Sequence, residues 1–183
     1  MILILSAMKN EQIELDNAIN VVTGIGLVNA SIAATKAILE NDIDLVINVG
    51  TAGSANLEIG SAHRVSSVIN ADYDLTKFKL AKYTTLSKDG KKEGEIIISE
   101  SGVSLASSSA FQTNVINGVS LYDMEGYAIA AVCKQLGKKL IMVKGVSDTI
   151  GKNLNLTEYK DQLKGLKENI KNEVVLALSQ MVV

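Results

Sequence analysis

The chain has no proline, where ordinary usage of about 5% would place about nine in a sequence of 183 residues. Its turns must therefore be set by the fourteen glycines together with Asn, Asp and Ser, and no function follows from the absence. There is one cysteine, Cys133, which excludes an internal disulfide; it sits in an apolar helical pattern and reads as a core thiol rather than a nucleophile. Charge of one sign is also missing. Eighteen basic side chains face twenty acidic ones, for a net charge of −2, and nothing clusters the basic ones into the footprint that nucleic-acid binding requires. No apolar run is long enough to cross a bilayer. The opening MILILSAM is short, lacks a basic leader and a small-residue cleavage site, and reads as the first β-strand of a cytoplasmic protein with no membrane partner.

What is present is a chain with 47% hydrophobic residues, enough at this length for a substantial core in one domain over residues 1–183. Short β-branched runs bounded by turn residues predict strands at 2–7, 20–23, 44–49, 63–69, 95–99, 116–121 and 139–146. Helical spacing predicts helices at 27–41, 124–137 and about 157–181, the last with Leu163, Leu166, Ile170, Val174 and Leu178 on one stripe. Strands apolar on both faces and separated by helices indicate an α/β fold with a central, mainly parallel sheet flanked by helices. The polar stretch SKDGKKEGE (87–95) reads as a solvated turn between two strands.

In sheets of this class ligands collect beyond the carboxyl ends of strands. Glu11 falls there, shortly after the first strand, and on pattern alone it is a first-turn helix carboxylate favoured by the helix dipole. Two glycine turns, TGIG (23–26) and VGTAGSAN (49–56), also follow strands; neither has nucleotide phosphate-loop spacing. The segment SSSAFQT (107–113) leads into Phe111, one of two phenylalanines, which suits either the core or stacking on a heterocycle. In DMEGYAIAAVC (123–133) and LIMVKGVSDTIG (140–151), Glu125 and Asp148 stand where apolar chain gives way to a helix start or a loop. Each could be a dipole partner or a cap, but with Glu11 they supply carboxylates at three strand ends, which points to acid-base chemistry.

These segments together resemble the purine nucleoside phosphorylase and uridine phosphorylase superfamily, and within it the branch of 5′-methylthioadenosine/S-adenosylhomocysteine nucleosidases and the related futalosine hydrolases. The resemblance runs nearly end to end: AMKNE (7–11), VVTGIGLVNASIAAT (21–35), LVINVGTAGSANLEIG (45–60), DYDLTKF (72–78), SSSAF (107–111), DMEGYAIAAVC and VKGVSD (143–148). It implies hydrolysis of a purine nucleoside at the N-glycosidic bond, with no metal or organic cofactor, in a homodimer. It also implies roles. Glu11 would activate the attacking water, and Glu125 would bind the ribose hydroxyls with Met124 packed against the sugar. Asp148, held by Ser147, would donate a proton to the purine, while Phe111 would stack on the base and the backbone of Gln112 would face its edge. Alternatives are a futalosine-type or other purine nucleoside hydrolase or phosphorylase; one of another class is a degenerate nucleoside-binding protein.

The chain departs from that pattern in several places. It is shorter, lacking the hairpin before VVTGIG and most of the loop after DYDLTKF that helps enclose the 5′ end of the nucleoside. The family's glycine pair is here Gly53-Ser54, its SGD is Ser107-Ser108-Ser109, and its arginine before the Ser-Asp pair is Lys144. Phosphorylases of the superfamily carry an arginine in the first glycine turn; Arg64, the only arginine here, lies in another strand.

Overall fold

The computed structural model describes residues 1–151 and 156–181, with the side chains of 156–162 and 164 left out. Its main sheet begins with β1 (Ile2–Ser6), in which Leu3, Ile4 and Leu5 are all fully buried. A strand can bury consecutive residues only if both faces are covered, because successive side chains point to opposite sides. Leu3 and Leu5 pack with Ala30, Ala34 and Ile38 of α1 (Leu27–Glu40) and Ile129 of α2 (Gly126–Gln135). Ile4 faces the other way, into a cluster with Leu166, Ile170 and Val174 of α3 (Leu156–Gln180). Of the stripe expected on α3, Leu178 is only partly buried and Ala177 takes the core position beside it.

The remaining strands are β2 (Ala18–Val22), β3 (Leu45–Ser54), β4 (Ala62–Asn70), β7 (Ile96–Ile97), β8 (Val103–Ser107), β9 (Leu121–Asp123) and β10 (Lys139–Thr149), while β5 (Thr85–Leu86) and β6 (Lys92–Glu93) form a separate hairpin. β3 is the axis. Its first half pairs in parallel with β1 on one edge and β10 on the other, and at Gly53 and Ser54 the β1 edge is taken over by antiparallel β9. Since β10 also pairs with β4, β4 with β8, and β8 with β9, the sheet closes on itself through β3, with β1 and β2 as a wing. The mixed, mainly parallel sheet flanked by helices is the expected fold class.

One strand escapes the sequence pattern and two strand expectations are corrected. Residues 103–107 form β8, a strand that the serines in VSLAS conceal; their hydroxyls are bonded inside the fold, Ser104 to the Gly118 carbonyl and Ser107 to Asp123. Residues 116–120 are loop, held by the Tyr122 hydroxyl, which accepts the Ile116 N–H at 2.8 Å, and the strand begins only at Leu121. The run 95–99 shrinks to two strand residues. Of the polar stretch 87–95, residues 87–91 form the expected turn, and Lys92 and Glu93 pair with β5 as β6. Among the described residues no helix is long and apolar enough to cross a membrane.

Candidate active site

β1 and β2 are parallel, and a parallel pair needs a crossover. Here it is only residues 7–17, with Ile13 buried under the sheet and no α-helix. Glu11 therefore does not sit in the first turn of an α-helix, as its pattern suggests; it closes a 3-10 turn, Lys9–Glu11. Its carboxylate is 3% exposed and fully engaged, with Oε1 accepting the Thr51 N–H at 2.9 Å and the Thr51 hydroxyl at 2.7 Å, and Oε2 accepting the Met8 N–H at 3.1 Å. The segment VGTAGSAN, expected as a turn, is strand as far as Ser54, and from within β3 its Thr51 holds the first carboxylate.

Glu125 stands at the N-terminal boundary of α2, just past β9, and is buried. Its Oε1 accepts the N–H of Gly26 at 2.8 Å, so TGIG is tied to DMEG. Gly26 has φ 97°, a conformation that favours glycine, and this turn presents its N–H to the carboxylate. Burial, then the charge of Asp123, raises the Glu125 pKa above the usual carboxylate value, against the pull of Lys144 and the Gly26 N–H.

Asp148 follows a bulge in β10. Val146 pairs with Ala52 and Asp148 with Gly53, so Ser147 is an extra residue that re-aims the strand end. The Ser147 hydroxyl donates to Asp148 Oδ1 at 2.7 Å. A Cβ at Gly53 would lie 2.9 Å from Asp148 Oδ2 and 2.8 Å from Ile150 Cδ1, so no other residue fits there without displacing the acid.

All seven residues singled out in the sequence, Glu11, Phe111, Gln112, Met124, Glu125, Ser147 and Asp148, line one cavity of about 350 Å³, a size suited to a small ligand. Its lining is mostly apolar, with Met8, Ile25, Ala52 and Ile150 between the carboxylates. Phe111 is half exposed at the rim, which decides between its two readings against the core. An acid, a second carboxylate and a flat ring around an apolar cavity can bind a heterocycle linked to a polyol, protonate the one and place water on the other.

A phosphorylase superfamily model matches residues 12–108 and 112–179. The chain belongs to that superfamily. Among its relatives, a 5′-methylthioadenosine/S-adenosylhomocysteine nucleosidase of Exiguobacterium is 27% identical over 160 residues, covering 74% of this chain and 69% of that protein. The fold is shared with the nucleosidase of the same name from Colwellia psychrerythraea, solved in complex with adenine (TM-score 0.80, 20% identity, 98% of this chain and 94% of that one). It is shared equally with a futalosine hydrolase of Helicobacter pylori (TM-score 0.80, 19% identity, 98% and 97%).

The departures at Ser54, Ser107, Ser109 and Lys144 each have a local account. Ser54 is buried and uses its hydroxyl to donate to the Ser120 carbonyl at 2.7 Å and to accept the Leu57 N–H at 3.0 Å, fastening the end of β3 to the loop before β9. The Ser109 N–H and hydroxyl both donate to Asp72 Oδ2, at 2.8 and 2.7 Å. Ser107 donates to Asp123 Oδ1 and accepts the Tyr127 N–H at 2.8 Å. Lys144 places its ammonium 2.8 Å from Asp123 Oδ2, both side chains fully buried. Asp123 and Lys144 were not among the residues expected at the site. Their signal was there to be read, as a lysine inside the apolar run LIMVKGV and an acid two residues before Glu125. Cys133 is buried among aliphatic side chains, and burial pushes its thiol up to about 12, so it is a core residue and no nucleophile.

Proposed function

We propose that this chain hydrolyses the N-glycosidic bond of a purine nucleoside, 5′-methylthioadenosine or S-adenosylhomocysteine, and releases adenine. The observation that carries the reading is the convergence of Glu11, Glu125, Asp148 and Phe111 on one cavity from four separate parts of the chain. Cleavage passes through an oxocarbenium-like sugar, so an enzyme gains by neutralising the departing base and by holding an anion and a water near the anomeric carbon. Asp148 protonates the purine, Glu11 activates water, and Glu125 accepts the ribose hydroxyls beside Met124. Phe111 lies on the base, and Ser147 holds the acid. The nucleosidase names of the relatives support the same substrate.

Residues 1–183 act in this reading as one nucleoside phosphorylase-like domain working in the cytoplasm as a homodimer. The exposed apolar residues Val28, Ile32 and Leu39 of α1, with Ile25 in the turn before it, support the dimer, because such a face is ordinarily covered and Ile25 also lines the cavity. No described residue between Gly53 and Phe111 lines the cavity, consistent with the shortened loop after DYDLTKF. Selectivity among 5′ groups is therefore modest.

Incubating the protein with methylthioadenosine, adenosylhomocysteine, inosine and aminodeoxyfutalosine, with and without phosphate, tests the reading. Adenine and free ribose sugar are expected in phosphate-free buffer. A strict need for phosphate, or base release from the futalosine compound alone, would replace it with one of the alternatives.

A further inference from the structure

Lys144 is the largest fully buried side chain and the only buried cation among the described residues. It occupies the row of β10 that Met142 and Val146 fill with apolar atoms. Its surroundings are anionic. Asp123 Oδ2 is 2.8 Å from the ammonium. A Cβ at Gly50 would meet both Lys144 Nζ and Glu11 Oε1 at 3.5 Å, so the ammonium and the Glu11 carboxylate share the space above that glycine. Glu125 lies in the same field. One cation thus stands among three buried carboxylates, at 3%, 6% and 7% exposure for Glu11, Asp123 and Glu125.

We propose that Lys144 is a positioning residue whose ammonium, seated among Glu11, Asp123 and Glu125, supplies the compensating charge that lets the two glutamates stand together as carboxylates on the floor of the cavity. The inference rests on the hydrolase reading, in which both glutamates must be anions at once. Like charges in a dry cavity cannot all ionise without a compensating cation. Burial alone would push the ammonium towards neutrality, but Asp123, Glu125 and Glu11 outweigh it and hold it protonated, above the usual lysine value. Among the described residues, the other groups packed on this part of β10 are these. His63, opposite Lys144 on β4, is bound to the Ser61 hydroxyl, Asp148 adds a further acid to the cavity, and α3 meets Gly145 with Leu166 and Ile170.

The sign follows. The ammonium lowers the Glu125 pKa and Asp123 raises it, so the two residues move the acid limb of the activity profile in opposite directions. With Lys144→Met, protonation of Glu125 begins at higher pH, and the acid limb of kcat/KM rises by about one pH unit or more. Lys144→Arg keeps the charge and leaves the limb within a few tenths of a unit of wild type, about the error of such profiles. Asp123→Asn removes a repelling anion and moves the limb down. A purely structural role would lower rate or thermal stability in both variants without moving the limbs apart.

The experiment is the pH dependence of kcat/KM, and of nucleoside binding by calorimetry, for wild type and the three variants. Opposite shifts for Lys144→Met and Asp123→Asn support the assignment; unmoved limbs, or shifts of one sign, overturn it. If Lys144→Met does not fold, an Asp123→Asn limb that fails to move down overturns it alone. A wild type that turns over with unmoved variant limbs defeats only the role of Lys144, whereas a wild type that neither binds nor cleaves any nucleoside defeats the hydrolase reading and this one with it.

Discussion

The floor and the rim of the cavity are built on opposite terms. On the floor, Glu11, Asp123, Glu125 and Lys144 are buried, and each carboxylate takes hydrogen bonds or an ion pair from a different element: Thr51 of β3, Gly26 of the turn before α1, Lys144 of β10. At the rim, Phe111 is 55% exposed and Ile25 51%. Buried polar groups that are fully satisfied rigidify their surroundings, and they turn costly when one partner is lost; exposed apolar groups contribute only the area they cover. The floor is where geometry is fixed in advance of the ligand. The rim is where the ligand itself completes the packing.

Substitutions that change charge but keep shape break this contrast most sharply. Glu11→Gln is expected to lower kcat by on the order of a hundredfold or more while substrate affinity stays near wild type, since a general base acts mainly in the transition state. Steady-state kinetics beside calorimetry would show it, and a matched loss of affinity would return Glu11 to a binding role. Asp148→Asn keeps the bond from Ser147 and loses the proton, so turnover falls by roughly a hundredfold with binding intact; unchanged turnover would mean that Asp148 merely caps a turn. Glu125→Gln exchanges charge-assisted ribose contacts for neutral ones and costs about 1.5 kcal/mol, near tenfold in Kd. A 2′,3′-dideoxy nucleoside that binds wild type as tightly as its parent would refute that role. Phe111→Ala, on the rim, is expected to cost about 1 kcal/mol, around fivefold in affinity, with kcat little changed. An effect as large as those on the floor would erase the distinction between the two.

The sequence carries the floor and the rim unequally. The fold class and the outer helices are legible because runs such as ILIL and LIMV are apolar on both faces, which only a doubly covered sheet satisfies. β8 is not, because VSLAS spends its polar hydroxyls on partners more than ten residues away, and no local pattern encodes them. Glu125 and Asp148 stand out against apolar chain. Asp123 looks like part of the same motif, and its pairing with Lys144 depends on β9 and β10 both lying along β3. Glu11 is visible as a carboxylate after a strand, but its environment is misread as a helix dipole because the crossover that replaces the helix is set by length, with no residue announcing it.

The place of β3 at the centre of the closed sheet also bears on how a nascent chain reaches this structure. β1, β2 and β3 emerge first and can pair among themselves, but the second edge of β3 waits for β10, and its far end for β9. Through most of synthesis an apolar strand therefore has an open edge, the kind of surface that invites pairing with other chains. Contacts so distant in sequence make closure slow. A ribosome-bound chain that ends before Lys139 lacks Lys144 as well as the partner strand, so it carries the carboxylates of the floor without the cation placed among them. Closing the sheet and neutralising the cavity are one late event, and fragments that stop short of it are expected to populate aggregates in place of a smaller folded core.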